Sequence, residues 1–164
     1  MRIFLILLLC SLLSCSKSSK VEEHFSSYLK SVYTSDYNES YKYLTEKEKK
    51  KWGNSENYLN KFGNKDLLKT ILSDSSFVIK SVNIENGLAT LIVEENIPDL
   101  KSVFQDLFLF ISPYRSSAST QQLELMLKTR LTFMKKNNKI SYVLKLSTYK
   151  MKKEGKLWRI VKEV

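Results

Sequence analysis

Two adjacent carboxylates, Glu94 and Glu95, follow the apolar run Leu91-Ile92-Val93. If one of them faces a cavity beside a tyrosine, it can act as a general base. The simpler reading is that both end a strand in water. Arg130 stands at helical spacing with Leu123, Leu127 and Met134, amid methionines and leucines. A buried arginine needs a carboxylate partner or an anionic ligand, unless it buries only its stem and keeps its head wet. His24 is the single histidine and lies one helical turn before Tyr28. Alone, with no cysteine partner, it cannot supply a three- or four-ligand zinc site. Serine–histidine chemistry would need a third orienting group that nothing nearby marks. No metal and no cofactor is expected, and the domain reads as more binder than enzyme.

The elements that must position these residues follow from periodicity. Val21, Phe25, Tyr28, Leu29, Val32 and Tyr33 recur at three- and four-residue spacing, which predicts an opening helix with these as packing residues. Short helices follow, carrying Tyr37, Tyr41 and Leu44, then a turn or two from a capping box at Thr45 and Glu48, then Leu67 to Leu72. The period then changes to two. Phe77 to Glu85 and Leu88 to Glu95 flank Asn86-Gly87, a strong hairpin signal because a type I′ turn needs positive φ at both central residues. That turn pairs Ile84 with Ala89 and Val82 with Leu91, and predicts one buried face of Val78, Val82, Ile84, Ala89, Leu91 and Val93. A second hairpin runs from Ile140 to Val164 around Glu154-Gly155-Lys156. In it Ile140, Tyr142, Leu144 and Leu146 alternate with Ser141, Lys145 and Ser147, which predicts that the second set is wet.

Residues 97–139, between the hairpins, read as two helices. Leu100, Val103, Phe104, Leu107, Phe108 and Ile111 form one apolar stripe, and a helix capped by Thr120 carries Leu123, Met126, Leu127, Leu131 and Met134. Leu107-Phe108-Leu109-Phe110-Ile111 is apolar all round and is expected to pack within the insertion, against Leu125 and Phe133. The alternative is a hydrophobic recognition surface.

The formal charge is +10, carried mostly by lysine. Such a balance raises nucleic-acid binding, but no zinc-finger, helix-turn-helix or RNA-recognition pattern accompanies it, so no nucleic-acid partner is expected.

At the N-terminus, Leu12-Leu13-Ser14-Cys15 closes an apolar run that starts at Ile3. The run is shorter than the roughly 20 apolar residues that cross a bilayer and has the grammar of a secretory signal. The tetrad resembles a bacterial lipobox. The resemblance implies removal of 1–14, acylation of Cys15, a tether over 15–20 and one domain over 21–164. It implies a lipoprotein held by a palmitate-type anchor at a membrane outside the cytoplasm, facing the periplasm or envelope and sorted to the outer membrane. The remaining 150 residues are the size of one domain, which buries about 68–70% of its unfolded surface. Both cysteines, Cys10 and Cys15, fall in this leader, so no disulfide holds the domain.

The opening helix, the segment Ser35-Asp36-Tyr37-Asn38-Glu39-Ser40-Tyr41 and the closing Gly155-Lys156-Leu157-Trp158-Arg159-Ile160 resemble the nuclear transport factor two-like superfamily. The resemblance implies an α+β fold in which N-terminal helices pack on a curved antiparallel sheet of about four strands, a cone with a cavity at its open end. The 97–139 insertion departs from that pattern and is placed to cap or fill the cavity. The expected role is a non-catalytic binding or interaction module, with a pocket near Phe25, Tyr28, Tyr142 and Trp158. Glu94 and Arg130 are further candidates, and the partner is an envelope protein, a lipid or an apolar small molecule. The rival is a small hydrolase or isomerase using Glu94 or Glu95 with a tyrosine.

Overall fold

The computed structural model describes residues 2–60 and 65–163, with side chains over 18–58 and 66–161. The chain opens on α1 (Arg2–Tyr33), then α2 (Tyr37–Lys42), α3 (Glu46–Trp52), α4 (Ser55–Asn60) and α5 (Lys65–Leu72). The stripe of α1 is buried as its spacing requires: Val21, Phe25, Leu29 and Tyr33 all enter the core. Ser35, at φ 56°, ends that helix, and Asp36 caps α2 by accepting from the Glu39 N–H. Thr45 caps α3 by accepting from the Glu48 N–H at 3.3 Å. The reciprocal half of a capping box is not needed, because the Thr45 N–H donates to the Ile160 carbonyl and so ties α3 to the last strand.

Four strands follow: β1 (Ser76–Glu85), β2 (Leu88–Pro98), β3 (Tyr142–Glu154) and β4 (Leu157–Glu163). They form one antiparallel sheet in sequential order, β1-β2-β3-β4. Asn86 and Gly87 take φ 49° and 77°, and the turn pairs Ile84 with Ala89 and Val82 with Leu91. One prediction for this hairpin fails. A bulge between Ile79 and Ser81 shifts the register, so Val78 lies opposite Glu94 and is exposed, while Phe77, Ile79, Val82 and Ile84 turn toward the core.

The insertion is helical, as its pattern predicts. Between β2 and β3 lie α6 (Leu100–Ile111), a short 3-10 turn (Ser112–Tyr114) and α7 (Thr120–Lys136). Ser119, one residue before the expected Thr120, caps α7 in a capping box with Gln122. The two helices join α5 in a second core of Ile71, Val103, Leu107, Leu131, Met134 and Ile140. Leu107 is buried there, but Phe108, Leu109, Leu125 and Phe133 are exposed, so the expected packing of Leu107 to Ile111 on Leu125 and Phe133 does not form.

The sheet is flat and open, which corrects the expectation of a curved sheet wrapped into a cone. Strands in sequential order leave β1 and β4 as two separate edges, and nothing joins them. The main core lies on one face only, where α1, α2 and α4 cover Ala89, Leu91, Val93, Tyr149, Met151 and Ile160. On the opposite face Leu144 and Leu146 are 73% and 68% exposed, the reverse of the wet-face expectation for β3. The nuclear transport factor two-like resemblance therefore does not hold.

The lipobox reading is corrected as well. Backbone helix α1 runs without a break through Leu12-Leu13-Ser14-Cys15, and the side chains of that tetrad lie outside those described. Nothing among the described residues marks a processing site at Cys15, and no helix there is long and apolar enough to cross a membrane. The expected lipoprotein with its palmitate-type anchor therefore has no support among the described residues.

Candidate active site

On the covered face of β2, Ala89, Leu91 and Val93 lie fully buried at two-residue spacing, and the next position in that series is Glu95. The residue as a whole is 4% exposed. Removing a carboxylate from water is costly unless hydrogen bonds replace the lost hydration. Here two phenols do so. The Tyr33 hydroxyl, from the last turn of α1, donates to Glu95 Oε2 at 2.6 Å. The Tyr149 hydroxyl, from β3, donates to Glu95 Oε1 at 2.9 Å.

Strand register explains the arrangement. Glu95 stands opposite Phe77 on β1 and Lys145 on β3, while Tyr149 pairs with Leu91. The Tyr149 ring therefore reaches back along the strand to Glu95. It is held there by Phe25, whose ring centre lies 4.8 Å away. Phe77 packs on Tyr33 at 6.2 Å, so both phenols are fixed by aromatic neighbours.

This cluster forms part of the wall of a cavity of about 380 Å³ between α1, α3, α4 and the sheet. Tyr28, Trp52 and Tyr58 line it, with aliphatic side chains such as Leu29 and Ile97, and Lys145 and Glu48 contribute charge. Trp52 and Tyr58 meet edge to face at 5.6 Å. An ionised carboxylate has about four acceptor positions. The two phenols use two of them, so Glu95 keeps capacity to take a proton from a guest molecule. The reading of Glu94 and Glu95 as strand-ending acids of a non-catalytic domain is thereby corrected for Glu95, which sits in a polar cluster consistent with catalysis.

The other sequence candidates are scattered. Glu94 lies on the opposite face, paired with Lys80 at 2.9 Å. Phe25 is wholly buried and serves as a packing wall for Tyr149. Tyr28 does line the cavity with Glu95. Trp158 is buried by a different cleft of about 480 Å³ at the hairpin turns, lined by Lys20, Ile84, Gly87, Lys153, Gly155 and Lys156, with no carboxylate, hydroxyl, thiol or imidazole side chain among these residues. The backbone N–H of Trp158 donates to Nδ1 of His24 at 3.0 Å, which gives that histidine a structural task joining α1 to β4. Tyr142 sits at the far end of β3, where its hydroxyl donates to Asp74 at 3.4 Å. Burial first, and then Asp74, pushes the Tyr142 phenol above its ordinary pKa. Arg130 grips Asp106 through Nε at 2.7 Å and Nη2 at 2.8 Å, with its plane near the rings of Phe110 and Phe133. The hydrogen bond from Arg130 holds the Asp106 carboxyl below its usual range. Among the described residues, no group of three or more histidine, cysteine, aspartate or glutamate side chains is placed to hold a metal ion.

Tyr149 and Lys145 are the site residues that sequence reasoning missed. Tyr33 entered it only as a packing residue. The continuation of the buried series Ala89, Leu91, Val93 to Glu95 was the available signal. In comparisons with known proteins, no family, no curated protein and no solved structure matches the chain.

Proposed function

We propose that the domain is a small proton-transfer enzyme, an isomerase acting on a carbon acid, with Glu95 as general base. The supporting observation is the Glu95 carboxylate, buried between the Tyr33 and Tyr149 hydroxyls at the wall of a cavity with aromatic and aliphatic sides. In the proposed step a Glu95 oxygen removes a proton from the carbon next to a substrate carbonyl. The C–H electron pair moves to form a carbon–carbon double bond, and the carbonyl electrons move to oxygen. A phenol that turns from Glu95 toward that oxygen stabilises the enolate. In a substrate with a double bond between its β- and γ-carbons, return of the proton from Glu95 to the γ-carbon moves that double bond into conjugation with the carbonyl and completes an isomerisation with no co-reactant.

Hydrolysis fits less well. His24 is engaged with the Trp158 backbone, so it is not placed to serve a hydrolytic nucleophile. The test is hydrogen–deuterium exchange next to the carbonyl of a panel of aryl and alkyl ketones in deuterium oxide, read by proton NMR. Glu95→Gln keeps the shape and removes the base, and is expected to slow exchange by about a hundred- to ten-thousandfold. No exchange above buffer for any compound, or equal rates with Glu95→Gln, refutes the reading.

A further inference from the structure

The cavity holds a second charged group that the proton transfer does not use. Lys145 is the direct cross-strand partner of Glu95, so the two side chains rise from the same face of the sheet with Cβ atoms about 5 Å apart. Both line the cavity. Lys145 is exposed, and among the described residues it makes no ion pair or hydrogen bond. The Glu95 oxygens take their hydrogen bonds from the two phenols and form no ion pair with this ammonium. The other carboxylate on the wall, Glu48, is neutralised by Lys51. The cavity thus offers an ammonium with no ion pair, the aromatic side chains of Trp52 and Tyr58, and a buried base on the neighbouring strand.

We infer that the substrate is an amphipathic monoanion, an aryl or alkyl keto acid whose apolar body fills the cavity while its carboxylate pairs with Lys145 and its keto carbonyl activates the carbon beside Glu95. This rests on the proposed role of Glu95, since it names what that base acts upon. The register supplies the logic. An anion anchored on Lys145 lies one strand spacing from Glu95, which places carbons near the carboxylate end within reach of the base. An anchored anion also has a reason to enter a cavity whose floor carries a negative group, because the ammonium offsets the repulsion.

Binding of hydrocinnamate and of its uncharged isostere hydrocinnamamide to the full chain, by isothermal titration calorimetry, tests this. The carboxylate is expected to bind about three- to tenfold more tightly than the amide, and added salt should narrow the gap. Lys145→Gln should abolish the preference while leaving amide affinity unchanged. Equal affinity for the two probes, no binding of either, or a preference that survives Lys145→Gln overturns the inference. Circular dichroism of Lys145→Gln checks that the exposed substitution leaves the fold intact. Failure of the catalytic reading is separately visible, because deuterium exchange reports on Glu95 and these titrations report on Lys145.

Discussion

Removing the hydroxyl of Tyr33 or Tyr149 should destabilise the fold far more than such a small change usually does. A hydrogen bond to a charged group contributes about 1.5–3 kcal/mol. Tyr33→Phe takes away the 2.6 Å bond to Oε2, and Tyr149→Phe the 2.9 Å bond to Oε1. Each single variant should therefore lose stability in that range. The double variant leaves the carboxylate of a residue that is 4% exposed with neither phenol. A stranded buried charge costs about 3–5 kcal/mol, so the second hydroxyl lost should cost more than the first. A third change reverses the trend. Glu95→Leu on the doubly substituted background removes the charge itself, and an all-apolar cluster of similar volume can match or exceed the stability of the original. Urea unfolding of the six proteins (wild type, both singles, the double, Glu95→Leu and the triple) gives the full cycle, with m-values showing whether the transition stays two-state. Two results would refute the reasoning: a single phenylalanine variant losing less than about 0.5 kcal/mol, or a triple variant no more stable than the double.

Two further outcomes follow from the fold. Leu144→Lys and Leu146→Lys lie on the uncovered face of the sheet, at 73% and 68% exposure, and should each change stability by less than about 0.5 kcal/mol; Met151→Ala, wholly buried on the covered face, should cost about 2–5 kcal/mol, and thermal melts of the three decide whether the faces are assigned correctly. The Asp106 carboxyl is held below its ordinary pKa by Arg130, so its contribution is complete above the unfolded value near about 3.9 and is lost as pH falls through the folded value. Asp106→Asn should therefore be less stable than wild type at neutral pH, by about 1 kcal/mol at most for a pair this open to solvent, and the gap in Tm should close on acidification; a gap that widens in acid would contradict the pairing.

The first hairpin was legible because its turn leaves little freedom. Asn86-Gly87 tolerates positive φ at both positions, and once the loop has two residues the pairs Ile84 with Ala89 and Val82 with Leu91 follow. Val78 escaped the same logic because the strand slips at Ile79/Ser81, and no glycine or proline in β1 announces the bulge. The choice between Glu94 and Glu95 was also within reach. Ala89, Leu91 and Val93 already defined the buried parity of β2, and a strand without a break carries it on to 95 and not to 94. What the sequence could not supply was the price of burying that carboxylate, because its two phenols come from residues 33 and 149, far apart in the chain.

Strand β3 shows why the second phenol stayed hidden. Its apolar residues change parity midway: Tyr142, Leu144 and Leu146 occupy even positions, whereas Tyr149 and Met151 occupy odd ones. Pairing with β2 runs without a slip from Tyr142 to Lys152, so the two sets must face opposite sides and one of them must be left outside. Local pattern favours the first set, which comes first and is the more aliphatic. Tertiary structure selects the second, because the odd positions lie opposite Ala89, Leu91 and Val93, beneath Phe25 of α1. The same choice that exposes Leu144 and Leu146 puts Ser147, Tyr149 and Lys145 on the covered side, and with them a phenol and an ammonium beside Glu95. The exposed leucines and the candidate site are two consequences of one register, so a shift of β3 by a single residue against β2 would bury the leucines and dismantle the site together.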